Sequence, residues 1–169
     1  PYEPTPYAVL ERLANSGRIR KGDTLLDYGC GKGRVDCYLS YQTRCHSIGV
    51  EYDPRIYETA AENQKTAVSG GRTEFVLADA GEFPVPDAVN RAYFFNPFSV
   101  ELLQKVIRRI LDSWYGTHRE IRLFFYYPSD EYLAYLMTVD ELMFADEIDC
   151  RDLFDGKHER ERIVEFVLE

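Results

Sequence analysis

Short apolar runs alternate with segments in which apolar residues recur at every third or fourth position. The runs predict strands, and they read "TLLDYG", "CHSIGVEY", "TEFVLADA", "AYFFNPF" and "EIRLFFYY". The segments between them predict helices, including one with Leu103, Val106, Ile107, Ile110, Leu111 and Trp114 on its apolar face. Strands that alternate with helices are typical of an α/β fold with a largely parallel sheet and helices on both faces.

Capping signals predict where the helices begin. For a leading helix, Thr5 serves as the cap, Pro6 suits the first turn, and Gly17 ends the helix. A second helix is expected from about Lys32, and Ser99 predicts the start of the long helix after the fourth strand.

A third capping signal is the pair Asp53 and Pro54, which predicts a helix that reaches Gly70 and Gly71. Its apolar positions are Ile56, Ala60, Ala67 and Val68. Because an aspartate before a proline is a good helix cap, capping also explains Asp53 without a ligand.

The last part of the chain predicts a short helix and two strands. Residues Ser129 to Thr138 are expected to be helical, and the strands run from Leu142 to Leu153 and from Arg162 to Leu168. Too few residues lie between these strands for a crossover helix, so they are expected to form an antiparallel hairpin. The 169 residues are therefore predicted to be one domain, with a leading helix over 1–18 and a sheet core over 24–169.

Composition narrows the function classes. The chain has no apolar run of membrane-spanning length and no signal-like N-terminus, so we expect a cytoplasmic protein without a membrane partner. The four cysteines form no metal-ligating pattern, so no metal site is expected. A net charge of −9 disfavours a nucleic-acid partner. Lys105, Arg108 and Arg109 share a helical spacing, and a solvated helix face explains them.

The stretch "TLLDYGCGKGR" places glycines at 29, 31 and 33, directly after the first strand. Such a turn lets a ligand approach the backbone closely at the carboxyl end of a parallel strand. The dinucleotide pattern G-x-G-x-x-G would require a glycine at position 34, where this chain has Arg34. The spacing therefore disfavours a pyrophosphate ligand and a nicotinamide dehydrogenase.

With Asp27 two residues before the first glycine, "LLDYGCGKGR" resembles the first motif of the class I S-adenosylmethionine-dependent methyltransferases. The resemblance extends over nearly the whole chain and implies a Rossmann-like seven-stranded sheet with an antiparallel C-terminal hairpin. It implies that Asp27 lies near the methionyl amino group of the cofactor, and that Gly29, Gly31 and Gly33 form the floor beneath it. A carboxylate suits this cofactor, which carries an ammonium and a sulfonium.

The ends of the next two strands carry further acidic residues. Glu51, about 20 residues after the glycines, is expected to accept hydrogen bonds from both ribose hydroxyls, with Tyr52 beside the adenine. By the resemblance, Asp79 accepts from the adenine amino group and the Ala80 backbone donates to the ring. A turn aspartate is the alternative for Asp79.

The fourth strand ends in "FFNPFS", which resembles the motif that amino-methylating family members carry as Asn or Asp, two prolines and an aromatic. The resemblance implies that Asn96, Pro97 and Phe98 orient an acceptor nitrogen, by accepted hydrogen bonds and by stacking. The second proline is absent here. Because Asn-Pro also starts ordinary turns, a structural role for Asn96 stays open.

Other candidates have structural explanations of similar weight. "YEPTPY" resembles, more weakly, a segment that some nucleic-acid amino-methyltransferases place over the cofactor, and Thr5 would then contact the methionyl end. Tyr126 and Tyr127 border the predicted cleft, but buried tyrosines also satisfy the pattern. His46, His118 and His158 form no set with a nucleophile.

We therefore expect a methyltransferase with S-adenosylmethionine as cofactor and a nitrogen of a small molecule or protein side chain as acceptor. A nucleic-acid amino-methyltransferase is one alternative. A non-catalytic module that binds the cofactor or a protein partner is another, because no separate substrate domain is visible.

Overall fold

The computed structural model describes residues 3–96, 98–156 and 158–169. The helices are α1 Tyr7–Asn15, α2 Arg34–Thr43, α3 Pro54–Thr66, α4 Val100–Gly116 and α5 Asp130–Leu136. The strands are β1 Thr24–Tyr28, β2 His46–Glu51, β3 Thr73–Leu77, β4 Arg91–Phe94, β5 Ile121–Tyr126, β6 Met143–Asp149 and β7 Arg162–Leu168. None of the helices in these ranges is both long enough and apolar enough to cross a bilayer.

The strands form a seven-stranded sheet in the order β3-β2-β1-β4-β5-β7-β6. Strand β2 pairs in parallel with β1 and β3, and β4 pairs in parallel with β5, whereas β7 runs antiparallel to both β5 and β6. This arrangement confirms the predicted fold class, a mostly parallel α/β sheet with an antiparallel C-terminal hairpin.

The chain divides into two compact units, residues 1–80 and residues 81–169. In the first unit the register places Asp27 beside Gly49 and Glu51 beside Leu77, so the ends of three parallel strands lie side by side. This division does not test whether residues 1–169 form a single domain, so the single domain stays a prediction.

Aromatic side chains form the core of the second unit. The rings of Phe94 and Phe125 are stacked with centroids 4.3 Å apart, and Phe166 meets Phe125 edge-on at 6.0 Å. All three rings are buried. The aromatic run of the fourth predicted strand therefore packs inside, as its apolar character indicated.

The start of α1 corrects the predicted cap. Pro6 is the N-cap residue, with an extended ψ of 140°, and makes no side-chain capping bond. Thr5 precedes the cap and is buried, and its carbonyl oxygen accepts a hydrogen bond from the Arg34 guanidinium at 3.2 Å. The prediction that Thr5 caps the helix is therefore wrong, because Pro6 occupies that position.

Helix α3 confirms its predicted start and corrects its predicted end. The Asp53 side chain accepts from the backbone N–H groups of Arg55 and Ile56, as expected of a cap. The helix stops at Thr66, because the extended Ala67 with ψ 139° leaves the helical path. Val68 is 83% exposed, so its predicted place on the apolar face is wrong.

The later elements follow the predictions with one exception. Ser99 caps α4 by accepting from the Leu102 backbone N–H at 3.2 Å. The strand predicted to reach Leu153 instead ends at Asp149. Cys150, with ψ 8°, leaves the extended conformation, and a 3-10 turn follows over Arg151–Leu153.

Candidate functional site

The glycine turn joins β1 to α2, and three of its residues have left-handed backbone conformations. The φ angles are 70° at Gly29, 58° at Gly31 and 91° at Gly33. The backbone N–H groups of Gly29 and Cys30 both donate to the Val50 carbonyl, at 2.9 and 3.0 Å, which ties the turn to β2. Glycine is needed at such angles because a Cβ would be strained there.

Gly33 is also a point of close approach. A Cβ added there would lie 2.6 Å from the end of the Phe75 ring, which is too close for any real contact. Phe75 is itself buried against Cys30 and Ala60 and has little room to move. The glycine at 33 therefore lets α2 begin directly against β3.

We expect Gly33→Ala to lower the free energy of unfolding by about 1–3 kcal/mol, the usual cost of overpacking a core together with backbone strain. Gly17→Ala is the matched control, because Gly17 also has a positive φ of 77° but faces open space. Chemical denaturation of both variants measures the difference. Equal losses would mean that backbone strain alone, and not the Phe75 contact, requires glycine at 33.

Glu51 at the end of β2 holds two loops together. Its Oε1 accepts from the Gly31 backbone N–H at 2.9 Å, and its Oε2 accepts from the Asp53 backbone N–H at 3.0 Å. A carboxylate offers about four acceptor sites, so about two remain for a ligand. Tyr52 follows with its ring 75% exposed. Glu51 is thus placed by the glycine turn and not only by its own strand.

Asp27, near the end of β1, forms a buried pair with Asp36 of α2. The two carboxyl groups lie within hydrogen-bonding reach of each other and are 2% and 0% exposed. Oδ2 of Asp27 and both carboxyl oxygens of Asp36 have no donor among the described residues. Burial raises the pKa of Asp27 well above its ordinary value, and the charges of Asp36 and Glu51 raise it further.

The same burial raises the pKa of Asp36 from 3.8 to about 7. Because two adjacent carboxylates repel each other in a dry site, the pair is expected to share a proton near neutral pH. Folding then takes up a proton that the unfolded chain has already lost. The free energy of unfolding should therefore fall as the pH rises from about 4 to above 7.

We expect Asp36→Asn to remove this loss of stability at high pH. At pH 8 the variant should be more stable than the parent by about 1–3 kcal/mol, the cost of an unsatisfied buried polar group, and at pH 4 the two should be alike. The measurement is urea denaturation at several pH values. The exposed Asp112→Asn serves as the control. A variant less stable than the parent at pH 8 would contradict a charge penalty.

Asp79 and Ala80 follow β3 in the first unit. Asp79 is exposed and comes two residues after Leu77, the last residue of the strand. Ala80 is 9% exposed. The structure thus places Asp27, the three glycines, Glu51, Tyr52, Asp79 and Ala80 in and directly after three neighbouring strands of one unit.

Asn96 lies in the second unit, just after β4, in a left-handed conformation with φ 41°. Its Nδ2 donates to the Tyr127 carbonyl oxygen at 2.5 Å. Its Oδ1 is buried and has no hydrogen-bond partner among the described residues. Tyr127 is left-handed too, with φ 52°. Positive φ at two neighbouring non-glycine residues is uncommon and is concentrated at functional sites.

The other two residues predicted for the acceptor motif differ in how far the structure describes them. Pro97 lies outside the described residues. Phe98 donates its backbone N–H to the Tyr132 hydroxyl at 3.3 Å, and its carbonyl accepts from the same hydroxyl. Its ring meets Phe94 edge-on at 6.4 Å. Tyr132 of α5 therefore holds the backbone at Phe98.

One further side chain near this loop, Arg160, was not singled out by sequence. The Arg160 guanidinium lies 4.6 Å from the centre of the Tyr127 ring and donates to the carbonyls of Pro128 and Tyr127, at 3.1 and 3.4 Å. Tyr126 is buried and its hydroxyl donates to Glu161 at 2.7 Å, which supports a structural role for this tyrosine. The only sequence signal for Arg160 was its place in the charged stretch before β7.

The remaining candidates are side chains that could hold a metal ion and the four cysteines. No group of three or more His, Cys, Asp or Glu side chains that could hold a metal ion is found among the described residues. None of the four cysteines, Cys30, Cys37, Cys45 and Cys150, forms a disulfide bond. Asp36 was missed because a single aspartate in a helix looks like a solvent-facing residue. The polar positions Asp36 and Ser40, one turn apart on the buried face, were the available signal.

Comparison with known proteins identifies the family. The methyltransferase-domain family matches residues 25–118, which is more than half of the 169-residue chain. A protein-lysine N-methyltransferase from Saccharolobus islandicus is 29% identical over 113 residues, covering 66% of this chain and 70% of that protein. A probable ribosomal RNA small subunit methyltransferase A from Methanopyrus kandleri is 32% identical over 93 residues, covering 54% of this chain and 32% of that protein.

The fold is shared with solved structures as well. An RNA methyltransferase from Salinibacter ruber, solved with S-adenosyl-L-homocysteine, superposes with a TM-score of 0.64 at 19% identity, over 98% of this chain and 92% of that one. The family match, the strand order and the glycine motif agree. The chain belongs to the methyltransferase-domain family, as a member of the S-adenosylmethionine-dependent class that its sequence resembles.

Proposed function

We propose that this chain transfers a methyl group from S-adenosylmethionine to a nitrogen atom of its acceptor. The observation that carries the proposal is the buried Oδ1 of Asn96, which has no partner among the described residues. A buried polar atom without a partner is costly, and a substrate N–H group would satisfy it.

The first unit offers what the cofactor requires. Oδ2 of Asp27 is buried without a donor and suits an ammonium group. Glu51 has about two acceptor sites left after its two backbone bonds, which suits the ribose hydroxyls. The left-handed glycine turn leaves its backbone open to a flat ligand. These residues fit a cationic nucleoside and lack the glycine that a pyrophosphate turn needs at position 34.

The bonds of Asn96 fix the orientation of its amide. Its Nδ2 must face the Tyr127 carbonyl, since a carbonyl oxygen accepts and does not donate. The Arg160 guanidinium donates to the same carbonyl and holds it in place. The opposite atom, Oδ1, is therefore the acceptor that the site presents, and it favours an amine or amide N–H over a substrate with only lone pairs.

The cofactor supplies an activated methyl group when it is bound. The residues of the chain then have to hold and orient the acceptor, because a displacement at carbon needs close and aligned approach. Asn96 would do this by accepting from the acceptor N–H. The Saccharolobus islandicus relative, a protein-lysine N-methyltransferase, supports a nitrogen acceptor. Four cysteines without a disulfide suit a reducing compartment, and we propose the cytoplasm.

The test is incubation of the purified chain with tritium-labelled S-adenosylmethionine and a cell extract. The labelled products are digested with protease or with nuclease, or are passed through a size filter. The three treatments distinguish protein, nucleic-acid and small-molecule acceptors. Chromatography of the hydrolysed products against methylated standards identifies the methylated atom, and label in N-methyl products supports the proposal. Label found only in methyl esters, methyl ethers, thioethers or C-methyl products would contradict it. Cofactor binding without any transfer would favour the non-catalytic module.

A further inference from the structure

Two adjoining cavities open on the first unit, along α2, and together they form one surface. Their volumes are about 600 and 390 Å³, and both are lined by Tyr41 and Val68. Val68 is 83% exposed and Tyr41 is 55% exposed. Single exposed apolar side chains are ordinary, but these two line a pair of cavities together, which marks a candidate binding site.

The charges that line this surface are all positive. The larger cavity includes Lys32 and Arg34, and the smaller one includes Lys21, Arg44 and Arg72, with His46 beside them. No aspartate or glutamate is among the lining residues. In a chain with 29 acidic and 20 basic residues, this is a local reversal of the overall charge.

Two of these arginines are held in place without losing their charge. Arg34 donates to the Thr5 carbonyl at 3.2 Å, and Arg72 donates to the Ser40 carbonyl at 3.3 and 3.4 Å. A carbonyl is neutral, so these bonds position each guanidinium and leave its charge available to an anionic partner. An arginine paired with a carboxylate would have its charge neutralised and would attract an anionic partner much less.

Tyrosine rings lie between the cations. Tyr7 and Tyr38 are in contact with centroids 5.6 Å apart, and the Arg34 guanidinium lies 4.2 Å from the centre of the Tyr7 ring. Tyr7 is 54% exposed and Tyr41 is 55% exposed. The ten residues of α2 span about 15 Å, from the glycine turn to Arg44. Cations and aromatic rings thus alternate over the length of a few nucleotides.

We propose that this basic-tyrosine surface, formed by Tyr7, Lys21, Lys32, Arg34, Tyr38, Tyr41, Arg44, His46 and Arg72, binds a short single strand of nucleic acid. Cations suit the phosphates and exposed tyrosines suit unpaired bases, which is how single strands are bound without sequence preference. An acidic peptide would use the cations but not the rings. A duplex hides the faces of its bases, so it too would leave the tyrosines unused.

The test is the fluorescence anisotropy of a labelled oligouridylate of about 12 nucleotides at about 50 mM salt, without cofactor. The double variant Lys21→Glu with Arg44→Glu should bind at least about 10-fold more weakly than the parent, and its affinity should depend less on salt. The matched control is Lys105→Glu with Arg108→Glu, which makes the same charge change on α4 of the second unit. The control should stay within about 2-fold of the parent.

A second pair of variants tests the rings. Tyr41→Ala should weaken binding about 5- to 10-fold by removing one stacking face. Tyr115→Ala removes a tyrosine that is 64% exposed on α4 and should change little. The affinity for an oligothymidylate of the same length shows whether the surface distinguishes DNA from RNA. A duplex of the same length is expected to bind weakly.

Three results would overturn the proposal: no binding of the oligouridylate, equal losses in both charge variants, or equally strong binding of the duplex. Full competition by polyglutamate with no effect of Tyr41→Ala would assign the surface to an acidic protein instead. The measurement needs neither cofactor nor methyl transfer. A failure to bind the oligouridylate would therefore leave the proposed transfer to nitrogen untouched. Likewise, a failure to transfer methyl groups to nitrogen would leave the binding surface untouched.

Discussion

Asn96→Gly is expected to lower the rate of methyl transfer about 100-fold, because it removes the oxygen that we propose orients the acceptor. Glycine is the suitable replacement here. The backbone at 96 has φ 41°, which glycine adopts without strain, so the loop keeps its path while the amide is lost. The dissociation constant for S-adenosylmethionine should change less than about 3-fold, since Asn96 is assigned to the acceptor.

The measurement uses the labelled acceptor fraction from the transfer screen, with cofactor affinity followed separately by calorimetry. Asn96→Asp is the second variant, because it keeps an acceptor oxygen but loses the bond donated to the Tyr127 carbonyl. It should fall between the parent and Asn96→Gly. If Asn96→Gly transferred methyl groups at the parental rate, Asn96 would be a turn residue, the structural alternative that its sequence left open.

Glu51→Ala is expected to weaken S-adenosylmethionine binding about 100-fold, or close to 3 kcal/mol. The effect should be large because one carboxylate has several partners. Its oxygens accept from the backbone N–H groups of Gly31 and Asp53, so the variant releases the glycine turn and the start of α3 and also removes the proposed ribose contact. Glu51→Gln should lose nearly as much, because its NH₂ group would face one of those N–H donors.

Asp53→Asn is the control for this prediction, since Asp53 is the other acid near the end of β2. Its side chain caps α3 by accepting from Arg55 and Ile56. Asparagine also caps helices well, so cofactor affinity should stay within about 2-fold of the parent. Titration calorimetry of the three variants gives the comparison. An unchanged affinity in Glu51→Ala, or a larger loss in Asp53→Asn, would move the ribose contact to Asp53.

Local signals predicted the elements well, because they depend on neighbours in sequence. The Asp53 and Ser99 caps, the strand that ends at Glu51 and the antiparallel hairpin all followed from residues a few positions apart. The error at Val68 shows the limit of this approach. Its apolar side chain fits the helical spacing, but the Gln64 amide donates to the carbonyls of Gly70 and Thr73 and stabilises a turn there.

Features built from distant segments could not be predicted in this way. The Asp27–Asp36 pair exists because β1 and α2 pack against each other, and the spacing of Asp36 and Ser40 in sequence does not indicate which side chain Asp36 meets. The basic-tyrosine surface is similar, because Lys21, Arg44 and Arg72 come from three separate segments. Net charge disfavoured nucleic acid for the whole chain, but a sum over all residues cannot describe one surface.

The central claim is that the glycine turn, Asp27 and Glu51 bind S-adenosylmethionine. Titration calorimetry of the parent chain against S-adenosylmethionine, with NAD as the comparison, tests it most directly. We expect saturable binding of S-adenosylmethionine at one site, loss of affinity in Glu51→Ala, and no measurable binding of NAD. Saturable binding of NAD with none of S-adenosylmethionine would contradict it.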